Sequence, residues 1–534
     1  MRRWNGWGDD TVEFKMTDAA LEFVAGRIGK GIDPVDATFE QACQAVPVSR
    51  LAAHHLLDIS PRTRLLHGFG QSMGDWLRLR YGQIGLVPDA VAFPESSAQV
   101  RELLNYAGAH GTSVIPYGGG TSVVGHLTAL AGDRPVLCID MSRLSRLINL
   151  DNETQLATFG AGVAGPDLEA QLRAKGYTLG HFPQSFEYST LGGWVVTRSS
   201  GQQSLRYGRI EQMFAGGRLE APAGTLKVPC FPASSAGPDL REMLLGSEGR
   251  MGILTEATVR VTPLAEAEEF HAVFFPNWAQ AEIAVREISQ AKLPLSMLRL
   301  SNPVETLTTL TFAASIPGHQ TSVNWLRRYL GWRGCRDNAC LLLVGATGSK
   351  ETVSHALRGV RQFTRQHQAI YIGQSIGRKW KENRFRNVYI RNKLWQKGYA
   401  VDTVETAVNW NRVGDMMRAV EEAAHTALGK ESERIHCHAH LSHFYAQGAS
   451  VYTTFFYRLA GDFERDMLRW QGLKQAVSQA IVAQGGTISH QHGVGTDHAP
   501  YLACEKGELG MQAMRSLFQP FDPDGIMNPG KLLV

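Results

Sequence analysis

The chain has 534 residues, of which 43% are hydrophobic and 19% charged, with a formal net charge of +4. That length exceeds one ordinary core and implies two or three domains, while so small a charge gives no basis for nucleic-acid binding. No run of about 18 apolar residues occurs, so no membrane-spanning helix is expected.

The first residues, Met1-Arg2-Arg3-Trp4-Asn5-Gly6-Trp7-Gly8, lack the apolar run of a signal peptide. Seven scattered cysteines without a Cys-x-x-Cys pair read as reduced thiols. A cytoplasmic location is the expectation. Residues 1–87 read as a polar helical segment. From about 88 the texture changes, and residues 89–94 read as a strand. Ser96 with Gln99 three positions on predicts a capping box. Val100, Leu103, Leu104 and Ala107 follow at helical spacing. Gly111 ends that helix, and a short strand leads into Pro116-Tyr117-Gly118-Gly119-Gly120-Thr121-Ser122. Three consecutive glycines leave bare backbone whose N–H groups can turn toward a diphosphate. Residues 136–140 and 155–159 are further strand candidates. Pro166 opens a helix that Gly176 closes.

A second small-residue stretch begins His181-Phe182-Pro183-Gln184-Ser185-Phe186-Glu187-Tyr188-Ser189-Thr190-Leu191-Gly192-Gly193-Trp194. It continues Val195-Val196-Thr197-Arg198-Ser199-Ser200-Gly201. A third is Gly246-Ser247-Glu248-Gly249-Arg250-Met251-Gly252-Ile253-Leu254, a glycine-rich turn leading into a strand. One glycine cluster marks a tight turn; three within residues 88–265 point to a common ligand. Alternating strands and helices make that region an α+β or α/β domain.

A second domain is expected over 266–484. It has strands at 271–276, 341–346 and 448–457, and helices at 278–290, 350–368 and 404–428. Arg378, Lys379, Lys381, Arg384, Arg386, Arg391 and Lys393 crowd into one stretch. They read either as a solvated helix face or as a rim that attracts an anionic substrate or lipid headgroup. His436, His438 and His440 alternate, so a strand would put them on one face. No carboxylate or second cysteine stands near them at a familiar zinc-ligand spacing, so they read as pocket residues and no metal is expected. The final segment, 485–534, carries a fourth motif, Ile488-Ser489-His490-Gln491-His492-Gly493-Val494-Gly495.

Taken in order, Pro-x-Gly-Gly-Gly-Thr-Ser, Pro-x-Ser-x-Glu-x-Ser-Thr-x-Gly-Gly, Thr-Arg-x-Ser-Gly and Gly-Ser-Glu-Gly-x-x-Gly resemble the FAD domain of the vanillyl-alcohol oxidase / p-cresol methylhydroxylase superfamily. Within it the chain resembles the alkyldihydroxyacetonephosphate synthase family, from Arg3-Trp4-Asn5-Gly6-Trp7-Gly8 to Asn528-Pro529-Gly530-Lys531-Leu532-Leu533. The resemblance implies an α+β fold: a two-subdomain FAD-binding domain at 88–265, an antiparallel-sheet cap at 266–484, and a C-terminal segment that returns to the FAD site. Residues 116–122, 183–189, 196–199 and 248–254 would hold the cofactor. Some relatives attach FAD through a histidine directly after the glycines. Thr121 stands there, so non-covalent FAD is expected.

The resemblance also implies roles outside the FAD motifs. In Tyr389-Ile390-Arg391 the arginine would hold the substrate's anionic headgroup, which suits a guanidinium fork. Gly448-Ala449-Ser450-Val451-Tyr452 would supply a catalytic tyrosine, Tyr452. Arg299, His181, His490 and His492 would assist. The family usually has three consecutive histidines at 490–492; here the middle one is Gln491, which cannot titrate. The activity implied is exchange of the acyl group of acyl-dihydroxyacetone phosphate for a fatty alcohol, without net redox change. Peripheral contact with the inner membrane face and a homodimer are further implications. Two alternatives stay open: an FAD-linked D-2-hydroxy-acid dehydrogenase or oxidase, and a flavoprotein that has lost catalysis.

Overall fold

The computed structural model describes residues 2–316 and 318–533. A four-stranded sheet runs in the order Leu57–Asp58, Ala90–Ala92, Val136–Asp140, Ser113–Tyr117, its last three strands parallel. An antiparallel five-stranded sheet runs Leu147–Asp151, Leu156–Gly160, Ile253–Arg260, Phe214–Ala221, Gly224–Val228. The largest sheet is antiparallel and seven-stranded. Its order is Ile370–Gly373, Ala267–Phe275, Cys340–Gly348, Met297–Ser301, Ile435–Phe444, Gly448–Arg458, Tyr399–Asn409. This is the expected α+β architecture, with an antiparallel sheet facing the glycine motifs.

Local chemistry sets how the first motif is presented. The helix Ser97–Ala109 buries Val100, Leu103, Leu104 and Ala107, as their spacing predicts. Ser96 caps it by accepting the Gln99 N–H at 3.2 Å. The capping box is only half made: Gln99 Oε1 takes the N–H of Glu95, not that of Ser96. Gly111, at φ +59°, then turns the chain into Ser113–Tyr117. The glycine loop follows at the carboxyl end of this parallel strand, where open sheets bind ligands. The last segment docks on the same strand. Val114 N–H donates to Ile526 O, and Asn528 N–H donates to Val114 O.

One predicted element is corrected. Residues 404–428 are not one helix: Tyr399–Asn409 is a strand, and the helix is Val413–Gly429. Val401, Thr403, Val404, Thr406 and Val408 are β-branched and favour the pleated strand. They pair in register along the whole of Gly448–Arg458. Helical spacing begins only with Val413, Met416, Val420, Ala424 and Leu428, the buried stripe. Helices Trp278–Gln290, Lys350–Gln366, Val413–Gly429 and Phe463–Ala483 cover one face of the seven-stranded sheet with a shared apolar core. Part of the other face is left to line a cavity.

Candidate active site

That cavity has a volume of about 1230 Å³, above the ~300–1,000 Å³ usual for a small-molecule site. The first motif lines it with Pro116, Tyr117, Gly118, Gly119, Gly120, Thr121 and Ser122. The second contributes Pro183, Gln184, Ser185, Ser189, Gly192, Val196, Thr197 and Ser199, and the third Glu248, Gly249, Gly252, Ile253 and Leu254. Arg299, Arg391, Tyr452, Gln491 and His492 lie on its wall as well.

The glycine loop fits a diphosphate. Among the described residues, no protein acceptor takes the N–H groups of Gly119, Gly120, Thr121 or Ser122. A Cβ on Gly119 would overlap Tyr188 O, so only glycine lets this loop lie on the second motif. Glu248 ties the motifs together. Its buried carboxylate accepts the N–H groups of Val494 and Gly495 and meets His126 Nε2 at 2.9 Å, while its carbonyl accepts Asn528 Nδ2–H. His126 Nδ1 in turn lies 2.6 Å from Ser122 Oγ. Thr121 stands directly after the glycines, so that position carries no imidazole for a covalent flavin link.

Three sequence-derived site residues lie off the cavity wall. His181 is buried behind Ser199, its Nε2 3.2 Å from the hydroxyl, and burial pushes its pKa down to about 3. Arg198 turns outward to Glu242 and to Leu245 O. His490 is pinned from both sides. Its Nε2 faces Arg209 Nη1 and the Tyr445 hydroxyl, each at 2.7 Å. Arg209 can only donate, so the ring proton of a neutral His490 sits on Nδ1, 3.2 Å from Glu405 Oε1.

Two of the side chains around Tyr452 come from its own sheet face and one from a C-terminal loop. His440 and Glu405 are its cross-strand partners. The His440 ring stacks on Tyr452, centroids 4.9 Å apart, and His492 meets Tyr452 edge-on at 5.7 Å. Burial pushes the Tyr452 hydroxyl up to about 12. Arg299, predicted as an accessory group, forms a half-buried pair with Glu305 at 2.7 Å and reaches His440 Nδ1 at 3.2 Å. Of the three alternating histidines, His438 and His440 line the cavity, whereas His436 lies off it with Nε2 3.0 Å from the Thr308 hydroxyl; burial lowers the pKa of His438 to about 4 and also lowers that of His440.

Arg391 lies over the Trp76 ring at 4.4 Å and donates from Nη1 to Gln71 O. Its Nη2 has no protein partner among the described residues and is available to an anion. The basic stretch around it is not one solvated face. Arg384 is buried against the rings of Phe182 and Phe385, Lys381 pairs with Glu268, and Lys379 and Arg386 line the cavity.

Sequence reasoning missed Glu405, Glu305 and Arg209. An acidic residue inside a β-branched strand was the only local signal for Glu405. Glu405, His443 and His490 also stand close enough to share a cation. Their donors do not suit one: the His490 nitrogen facing Glu405 carries the proton, and a guanidinium holds its other nitrogen.

Two family models match the chain: "FAD binding domain" over residues 88–228 and "FAD linked oxidases, C-terminal domain" over 264–532. An alkyldihydroxyacetonephosphate synthase from Dictyostelium discoideum is 33% identical, the match covering 88% of this chain and 77% of that protein. The chain belongs to the alkyldihydroxyacetonephosphate synthase family. A solved structure of an alkyldihydroxyacetonephosphate synthase superposes with a TM-score of 0.84 at 28% identity, covering 99% of this chain and 98% of that one. p-Cresol methylhydroxylase, 14% identical with a TM-score of 0.68 over 93% of this chain and 98% of its own, shares the fold. The family's cofactor is FAD, and the loop of unengaged N–H groups at 119–122 suits its diphosphate.

Proposed function

We propose that this chain makes an ether lipid precursor, exchanging the acyl group of acyl-dihydroxyacetone phosphate for a fatty alcohol. The observation that carries the reading is one cavity that brings a diphosphate loop, an unengaged arginine nitrogen and a buried tyrosine together with a long apolar wall. FAD, when bound, supplies the electron-rich ring that substitution at the dihydroxyacetone carbon requires. Arg391 holds the phosphate through Nη2, with Trp76 fixing its plane. The C–O bond to the acyl group breaks and the fatty acid leaves as a carboxylate. A new C–O bond forms to the alcohol, whose proton passes to Tyr452 and its histidine partners. Phe312, Ala313, Ile316, Val323 and Leu326 wall the part of the cavity that would take the chains.

Peripheral membrane contact belongs to the same reading. The helix Gln320–Trp332 turns Val323 and Leu326 to the cavity. Its Trp325, Tyr329 and Trp332 are 65%, 41% and 80% exposed, spaced along one face. Arg328 and Arg333 lie over the rings of Trp325 and Tyr329. Aromatic rings with arginines beside them suit the boundary between anionic headgroups and acyl chains.

The test gives the FAD-loaded protein acyl-dihydroxyacetone phosphate and a long-chain alcohol, with products read by mass spectrometry. Parallel samples receive D-lactate, glycolate or D-2-hydroxyglutarate with a dye acceptor. Alkyl ether and released fatty acid without dye reduction are expected. Dye reduction without ether would overturn the reading and favour a hydroxy-acid dehydrogenase. Binding to anionic vesicles, weakened in Trp325→Ser/Trp332→Ser, checks the membrane face.

A further inference from the structure

Glu405 belongs to none of the sequence motifs, yet it is the centre of the polar network behind Tyr452. Its side chain is fully buried. Oε2 accepts Gln491 Nε2–H at 2.6 Å and stands 3.8 Å from His492 Nε2. Oε1 accepts the Ser442 hydroxyl at 3.0 Å and lies 3.2 Å from His490 Nδ1 and 4.0 Å from His443 Nε2. Burial opposes its charge, but His490, with His443 and His492, holds the carboxyl well below the usual range. An anion kept in the interior at this cost needs surroundings built for it.

The neighbours divide by what they can do with a proton. Gln491 cannot take one. His490 is locked between Arg209 and Glu405. His443 Nδ1 lies 3.1 Å from the hydroxyls of both Ser200 and Ser204, away from Tyr452. His440 sits with Glu305 and Arg299 on the other flank of Tyr452. His492 remains: it lines the cavity, meets Tyr452 edge-on and turns Nε2 to Glu405. Lys474 and Asp402 also act on His492 electrostatically, in opposite directions.

We propose that Glu405 is a positioning residue that keeps a negative charge beside His492, so that the proton Tyr452 relays from the alcohol passes to a histidine–carboxylate couple. At 3.8 Å the contact between His492 Nε2 and Glu405 is electrostatic rather than a hydrogen bond. The proton that leaves the alcohol oxygen ends on the His492 ring, and Glu405 stabilises the imidazolium until solvent takes the proton. The inference rests on the ether-forming reading.

The test uses the full-length, FAD-loaded protein and compares Glu405→Gln, Glu405→Asp, His492→Gln and the Glu405→Gln/His492→Gln double variant. Glu405→Gln should keep its flavin, lower kcat about 10- to 100-fold and leave KM within about threefold. Removing the anion lowers the basicity of His492, so the acid limb of the kcat profile moves to lower pH. Glu405→Asp should recover part of the rate, and the double variant should be no slower than His492→Gln alone. If Glu405→Gln does not fold, Gln491→Leu, which frees Oε2, should move the acid limb of the same profile while flavin is retained. An unchanged kcat and pH profile, or multiplicative losses in the double variant, would overturn the inference while the functional reading stands. A wild-type chain that forms no ether overturns both.

Discussion

The two halves of the site are built from different materials. The cofactor half is backbone: unengaged N–H groups at 119–122, held in place by Gly119 against Tyr188 and by Glu248 against residues 494 and 495. The half to which the proposal assigns the chemistry is side chain: Tyr452, His440, Glu405 and His492, gathered from three neighbouring strands and a C-terminal loop. A backbone site needs glycines in a short run and so leaves a motif. A side-chain site needs only one residue from each of several distant elements.

Breaking the cofactor half should cost the flavin itself, on which every chemical step depends. In Gly119→Ala the new methyl overlaps Tyr188 O, which is main chain and cannot swing away. The loop must leave the second motif, and its N–H groups lose their aim. Flavin affinity should fall at least tenfold, about 1.4 kcal/mol, measured by absorbance of the purified protein and by titration with FAD. Ether formation should fall with it and return only at excess FAD. Normal flavin content in this variant would mean that the loop is not the diphosphate cradle.

Breaking the chemical half should separate the two. Tyr452→Phe removes a hydroxyl and leaves the ring stacked on His440. Flavin content should be unchanged and kcat should fall about 10²- to 10⁴-fold, with KM for the phosphate substrate nearly constant because Arg391 is untouched. Equal loss of flavin in both variants would contradict the division into halves.

The same division explains what the sequence disclosed. The four glycine-rich or small-residue motifs were legible because close backbone approach restricts residue type at adjacent positions. Tyr452 was visible only through resemblance, since a tyrosine in an apolar strand has no local signature, and only resemblance picked Arg391 out of its basic stretch. Glu405 was hidden further by the expected helix over 404–428. A strand reading from the β-branched residues at 401–408 would have placed it across from Tyr452. His181, Arg198 and His490 sit inside true motifs yet behind or outside the wall. A motif records which segment approaches the ligand, not which of its side chains point inward.

A smaller effect is expected near the C-terminal motif. Burial raises the pKa of Asp497 to about 6, from an ordinary value of 3.8. An acid raised in the folded state favours folding while protonated, so its contribution is present at low pH and is lost as pH rises from about 4 through 6. Above that window the folded chain carries a poorly solvated carboxylate. Asp497→Asn should therefore stabilise the protein at pH 8 by ~1–2 kcal/mol, allowing for the exposure that remains, and should change little at pH 4. Thermal unfolding at the two pH values checks the sign; equal shifts at both would show that charge is not the cause.

The smallest effect sharpens the boundary of the cofactor half. Arg198 belongs to the second motif, but its guanidinium pairs with Glu242 at the surface, the two side chains 38% and 54% exposed. An exposed pair of this kind contributes ~0.2–1 kcal/mol. Arg198→Ala should cost about 0.5 kcal/mol and leave flavin affinity within about twofold. The residue also sits at φ +52°, in the left-handed region that glycine enters freely. Arg198→Gly thus loses the same ion pair but relieves that backbone, and should be at least as stable as Arg198→Ala. If the arginine instead touched the cofactor, both variants would lose flavin alike, whatever their stability. Measuring unfolding and FAD titration on the same two samples separates a side chain that braces the loop from one that binds the ligand.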